Sequence, residues 1–235
     1  NIDFWEGKGV CHQVMMEHYV CPGELIFGAD SHTCSYGALG AFGTGVGCTD
    51  LLYGMVTGKS WVLVPETVKF NLVGKLPEGV YARDLILTII GTIGANGCNY
   101  QVMEFTGEGA KTLSISERMV LCNMAVEAGA KTGIFEPDEK AIEYLKAHGR
   151  KPKALFTSDP DAVYAREYTF DLSKIRPVVA KPDFVDNLVP AEEVRGVKID
   201  EAFLGSCNNG RIEDLRVGAS IIKGKKVAEK VRFLV

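Results

Sequence analysis

Asp30, Ser31 and His32 stand in a row in "GADSHTC". Aspartate can orient a histidine, histidine moves protons near neutral pH, and serine can bind a carboxylate. The three follow "ELIFG", which reads as a buried strand, so they fall where a strand hands over to a helix. In α/β folds that junction collects ligands, because backbone N–H groups and the helix dipole face outward there. Asp or Ser before a helix is also an ordinary N-cap, and the spacing alone leaves both readings open.

Other residues could join them. His12, in "GVCHQVMMEHYVCPG", is one of four histidines. Asn123 and Glu127 in "LCNMAVEAG" are four apart, which puts an amide and a carboxylate on one face of an apolar helix. Facing inward they would need partners, whereas at a helix edge they would not. Cys207, in "AFLGSCNNGRIEDLR", is expected to end a strand, with Asn208-Asn209-Gly210 as a turn and a helix from about Arg211. A cysteine at a helix N-terminus suits a nucleophile or a metal ligand. One cysteine cannot hold a metal alone, and no C-x-x-C occurs in the chain.

The elements that must position these residues are legible in outline. Gly37, Gly40, Gly43, Gly45 and Gly47 match neither G-x-G-x-x-G nor G-x-x-x-x-G-K-[ST], so no phosphate fingerprint is present. They read as the bare face of a small-residue helix, against which another backbone or a bulky group comes close. "ETVKFNLVGKLPEG" alternates as a half-buried strand does, and "ARDLILTIIGTIG" reads as a helix capped near Gly94 to Gly97. Ser114 to Glu117 form a capping-box pattern opening two helices parted by "KTGIFEPDE". From Arg150 to Glu193, with prolines at 152, 160, 177, 182 and 190, the text looks like an irregular connector. A new strand-turn-helix unit follows, with "KVRFLV" as its next strand. Strands alternating with helices point to an α/β fold with mostly parallel sheet.

Composition excludes some classes. A net charge of -4 argues against a nucleic-acid partner, and the cluster Lys223 to Phe233 reads as a solvated helix face. No apolar run reaches membrane-spanning length and no signal peptide is visible, so no membrane association is expected. Seven cysteines, odd in number and unpaired in spacing, suggest reduced thiols and a cytoplasmic location. The chain opens at Asn1 rather than Met and stops at "VRFLV", so both ends read as cut.

Taken together, "CHQVMMEHYVCPGELIFGADSHTCSYGALGAFGTGVGCTD", "LCNMAVEAGAKTGIFEPD" and "FLGSCNNGRIEDLR" resemble the aconitase superfamily, nearest its isopropylmalate dehydratase and homoaconitase large-subunit branch. The resemblance implies three-layer α/β/α domains: the end of one over residues 1–70, a second with connector over 71–193, and the start of a third over 194–235. It implies a hydro-lyase that dehydrates and rehydrates a hydroxy-polycarboxylate, 2- to 3-isopropylmalate in leucine biosynthesis, or homoaconitate or citramalate. A [4Fe–4S] cluster on three cysteines would leave one iron open. By the same resemblance His12 pairs with Asp30, His32 lies close to iron-bound water, and Glu127 contacts that water. Ser31 and Asn123 bind substrate or sit beside the cluster, and Cys207 is the first cluster ligand. The other two cluster cysteines are expected outside this chain, and the base on a small subunit that also sets specificity. Position 208 is Asn where the family usually has Thr. Some relatives bind RNA without a cluster, but the acidic charge speaks against that here.

Overall fold

The structure is a computed structural model that describes residues 2–235. Its central feature is a four-stranded, all-parallel sheet in the order β5-β4-β3-β6, built from β3 (Thr67–Val73), β4 (Val102–Thr106), β5 (Thr132–Phe135) and β6 (Arg166–Asp171). β3 forms as its alternation dictates: Val68, Phe70 and Leu72 are fully buried and the residues between them are not. Phe70, near which a first division of the chain was expected, therefore lies in the middle of a central strand.

The N-terminal part holds α1 (Cys11–His18), then β1 (Leu25–Gly28) paired in parallel with β2 (Phe42–Gly45), and α2 (Cys48–Thr57). Between β1 and β2 runs a 3-10 helix, Ser31–Leu39, whose residues from Thr33 to Leu39 are all buried. The glycine run is thus not the single helix expected but a 3-10 helix, a turn and a strand. Its glycines do bring backbones together. A Cβ on Gly37 would lie 1.7 Å from the carbonyl oxygen of Gly133 in β5, and one on Gly43 would lie 2.3 Å from that of Thr33.

α3 (Ala82–Ile93) buries Leu85, Ile86, Ile89 and Ile90 on one stripe, and its end is set at Gly94. A short α4 (Glu108–Thr112) follows β4. α5 (Ile115–Asn123) starts with the expected capping box, in which Ser114 and Glu117 satisfy each other's backbone N–H groups. It continues as a 3-10 turn, Met124–Ala128, and α6 (Glu139–Ala147) comes after β5. At the centre of this layer, fully buried Arg118 is ion-paired with Asp138, the N-cap of α6.

The stretch from Arg150 to Glu193 is more ordered than its prolines suggest. It supplies the edge strand β6 and an antiparallel pair, β7 (Val178–Ala180) with β8 (Leu188–Pro190). β9 (Glu201–Phe203), α7 (Ile212–Ile222) and β10 (Arg232–Leu234) then form the expected strand-turn-helix-strand unit, with β9 and β10 parallel. The basic segment after Ile222 is an exposed turn leading into β10, not a helix face, because α7 has already ended. The architecture is mixed α/β with mostly parallel sheets. Among the described residues no helix is long and apolar enough to cross a membrane.

Candidate functional site

Asp30 is the N-cap of the 3-10 helix, its side chain accepting from the backbone N–H of His32 at 2.8 Å. The capping role and the chemical role coincide, because the same Oδ1 lies 2.8 Å from Nε2 of His12. His12 comes from the first turn of α1 and is 3% exposed. Its other nitrogen, Nδ1, faces the Tyr36 hydroxyl at 3.3 Å. Burial holds the His12 pKa below its ordinary value, and the hydrogen bond to Asp30 only partly offsets this. Burial raises the Asp30 carboxyl, but the His32 N–H and the His12 bond outweigh it and leave a net lowering. A neutral imidazole therefore donates from Nε2 to a carboxylate and accepts the Tyr36 hydroxyl at Nδ1.

His32 stands beside this pair, with its ring centre 6.4 Å from that of His12. One nitrogen lies 3.7 Å from Asp30 and the other 3.4 Å from Oε1 of Glu127. Glu127 is on the 3-10 turn that prolongs α5, and its Oε2 is enclosed without a hydrogen-bond partner among the described residues. Asn123, the last residue of α5, is 1% exposed and hydrogen-bonded from both ends of its amide. The pair spaced four apart is thus turned inward rather than lying on a helix edge.

Cys207 lies in the turn between β9 and α7, four residues beyond the strand and four before the N-cap Arg211, so it does not itself end the strand. Ser206 before it holds a left-handed φ of 77°, and Arg211 folds back to donate to the carbonyls of Cys207, Asn208 and Ser116. This aims the sulfur at the histidines: one donor atom each from His12, His32 and Cys207 lie within 4.8 Å of one another. Cys207 also borders a cavity of about 420 Å³ shared with Gln13, Tyr144 and Arg211.

Six of the seven residues singled out in the sequence, His12, Asp30, His32, Asn123, Glu127 and Cys207, thus meet in one place from four separate segments. Ser31 does not join them. It is exposed and lines a different, open cleft of about 490 Å³ with Gly45, Tyr100 and Lys131. The sequence did not single out Ser35, Tyr36, Arg83 or Asn208, which tie the group together. Asn208, which the sequence presents as a turn residue, is buried.

The donor set fits one corner of an iron–sulfur cluster. Cys207 is a partly accessible thiol beside the cavity. Cys34 and Cys98 are buried, and burial pushes their thiols up to about 12 and about 11, with Cys122 raised well above its ordinary value too. Cys34 is spent on the carbonyls of Ser31 and Asn123. A thiolate ligand is what a cluster needs, and these three do not supply one.

The model of the aconitase family (aconitate hydratase) matches residues 1–235. The 3-isopropylmalate dehydratase large subunit 1 of Methanopyrus kandleri is 52% identical over 97% of this chain and 55% of its own length. That of Hydrogenobaculum sp. is 52% identical over 99% of this chain and 55% of its own length. A probable methanogen homoaconitase large subunit of Methanothermobacter thermautotrophicus is 50% identical over 99% and 54%. The chain spans about half the length of the curated relatives it matches. With a family model matched over residues 1–235, the chain belongs to the aconitase family.

Proposed function

We propose that the chain is part of the large subunit of a hydro-lyase that interconverts 2- and 3-isopropylmalate by removing and re-adding water, a step of leucine biosynthesis. The observation that carries this is the convergence of His12, His32 and Cys207 within 4.8 Å, flanked by Asp30 and Glu127. The names of relatives at about half identity supply the substrate. A [4Fe–4S] cluster, when bound, supplies an open iron as Lewis acid for a departing hydroxyl. Cys207 would hold one corner of it.

The chain's own residues supply proton handling. His12 and Asp30 share a proton along the 2.8 Å contact between Nε2 and Oδ1, and Asp30 is half exposed on its other side. When the pair carries one further proton, a departing hydroxyl arriving at that side takes it and leaves as water, returning the pair to neutral imidazole and carboxylate. His32, held between Asp30 and Glu127, has its two nitrogens aimed at carboxylates, so a water or hydroxyl beside it is handled by His32 and Glu127 together. Asn123 offers an amide N–H toward the same space. Ser31, on the adjoining open cleft with Lys131, is suited to a substrate carboxylate that reaches beyond the histidines. We read the chain as portions of three α/β units, with the first division before Thr67, and a small subunit as the partner that completes the site.

A homoaconitate-type substrate is the second reading, favoured by the homoaconitase relative at 50% identity. The test is the whole large subunit, assembled anaerobically with its small subunit and offered 2-isopropylmalate, homoaconitate and citramalate. Turnover mainly of 2-isopropylmalate is expected, turnover mainly of another acid moves the assignment to it, and turnover of none overturns the hydro-lyase reading.

A further inference from the structure

We propose that Asn208 is a positioning residue for the Cys207 sulfur and that Arg83, far away in the chain, sets its polarity. Donors and acceptors along the path have one consistent arrangement. Arg83 Nη1 bonds Oδ1 of Asn208, and a guanidinium can only donate, so this end of the amide must be oxygen. The other end is then NH2. It faces the carbonyl of Val120 at 3.3 Å, which can only accept, and the side chain of Asn123 at 3.0 Å. Asn123 must turn its oxygen to meet it. Its own NH2 therefore points the opposite way, 2.9 Å from Ser35 Oγ and 3.7 Å from Cys207 Sγ.

Ser35 is free to receive that donor because its hydroxyl is given to the carbonyl of His32 at 2.7 Å. Reversing Asn208 would set donor against donor at Arg83 and oxygen against oxygen at Val120, and reversing Asn123 would set donor against donor at Asn208. Asn123 and Asn208 are 1% and 5% exposed, so water does not rescue a wrong orientation. An N–H thus faces the sulfur because a guanidinium sits two amides upstream. A hydrogen bond to a ligating sulfur is one of the levers that sets a cluster's potential. This relay bears on the proposed cluster ligand but is itself a property of the chain without any cluster.

The decisive pair of variants is Asn208→Thr and Asn208→Val, which differ by one hydroxyl. A threonine hydroxyl can accept from Arg83 and donate to Asn123, so it keeps the polarity, and valine does neither. In the nitrogen-15-labelled whole large subunit without cluster, alkylation of Cys207 by iodoacetamide should shift the Asn123 side-chain amide resonance, with Cys207→Ser as the reference for assignment. The shift should persist in Asn208→Thr and be lost in Asn208→Val. Equal behaviour of the two variants would overturn the proposal, since a packing role does not distinguish them. Should Asn208→Val fail to fold, Arg83→Met at an exposed helix position tests the same relay: it should shrink the shift, and an unchanged shift overturns the role of Arg83. In the loaded enzyme the midpoint potential should be lower for Asn208→Val than for Asn208→Thr. A failure of that measurement alone, with the amide shift as expected, would fall on the cluster assignment and not on the relay.

Discussion

Gly37→Ala is the substitution whose cost the structure specifies most directly. The added Cβ would sit 1.7 Å from the Gly133 carbonyl oxygen, 2.8 Å from its carbon and 3.0 Å from the Cα of Ile134. All three are backbone atoms of β5, so no side chain can swing aside. Restoring a 3.0 Å contact requires the 3-10 helix and β5 to part by the difference, 1.3 Å. Tyr36, Ala38 and Leu39 line the surface that would open, and each is 4% exposed or less. A gap of that size forfeits much of the dispersion energy across a packed surface, so overpacking here should reach the upper end for single substitutions, about 4 kcal/mol. For a chain of this size that is a fall of about 10 °C in melting temperature. Gly58→Ala is the control: it has nothing within 4 Å and only a positive φ of 67° to strain, a cost of about 1–2 kcal/mol. Thermal unfolding followed by circular dichroism separates them. A melting temperature for Gly37→Ala no lower than for Gly58→Ala would refute the claim that backbone contact, rather than turn conformation, is why the run is glycine. Because the same 3-10 helix carries Asp30 and His32, the surviving folded fraction should also show a weakened His12–Asp30 contact, read from the imidazole resonances.

Three further outcomes are expected. In the whole subunit, Cys207→Ser should lose cluster iron and its visible absorbance, and an unchanged iron content would remove Cys207 from the ligand set. Glu127→Gln should leave the iron in place and slow dehydration by about 10²–10⁴-fold, the range for a positioned acid or base; near-normal turnover would make Glu127 a packing residue. The depressed His12 pKa has a signed consequence for stability. As pH falls below 6.5, the ordinary value, the unfolded chain takes up a proton that the folded chain still refuses. Stability is therefore full above that pH and declines as pH falls from it toward the lowered folded value. The urea midpoint between pH 8 and 5, by order of magnitude of the histidine range, should slope less in His12→Gln than in the native chain, and equal slopes would assign the effect elsewhere.

What the sequence yields and what it withholds follow from the range of each signal. β3 and α3 were readable because one face of each is buried and the other is not, which prints a period of two or of 3.6 on the residues. The capping box at Ser114 was readable because both partners lie within one turn. β4 and β5 were not, since both are short and almost wholly buried, and a strand covered on both faces has no alternation. The glycines from 37 to 47 gave their meaning, close backbone approach, without their form, because bare Cα positions suit a helix or a strand equally. The candidate site divides along the same line. Residue types such as His12, Asp30 and Cys207 announce chemistry wherever they stand, so they could be named in advance. Ser31 was named by adjacency to Asp30 and His32, yet a 3-10 turn gives successive side chains different directions, and it faces another cleft. Asn208 looked like a turn residue because its immediate neighbours, Ser206 to Asn209, form a turn. Its partners are Arg83, 125 residues away, and Asn123, 85 residues away. The orientation of an amide is a property of what surrounds it, and those surroundings come into being only when α3, α5 and the Cys207 turn meet. The polarity delivered to the sulfur therefore belongs to the fold, and it can be altered from α3 without touching any residue whose type suggests chemistry.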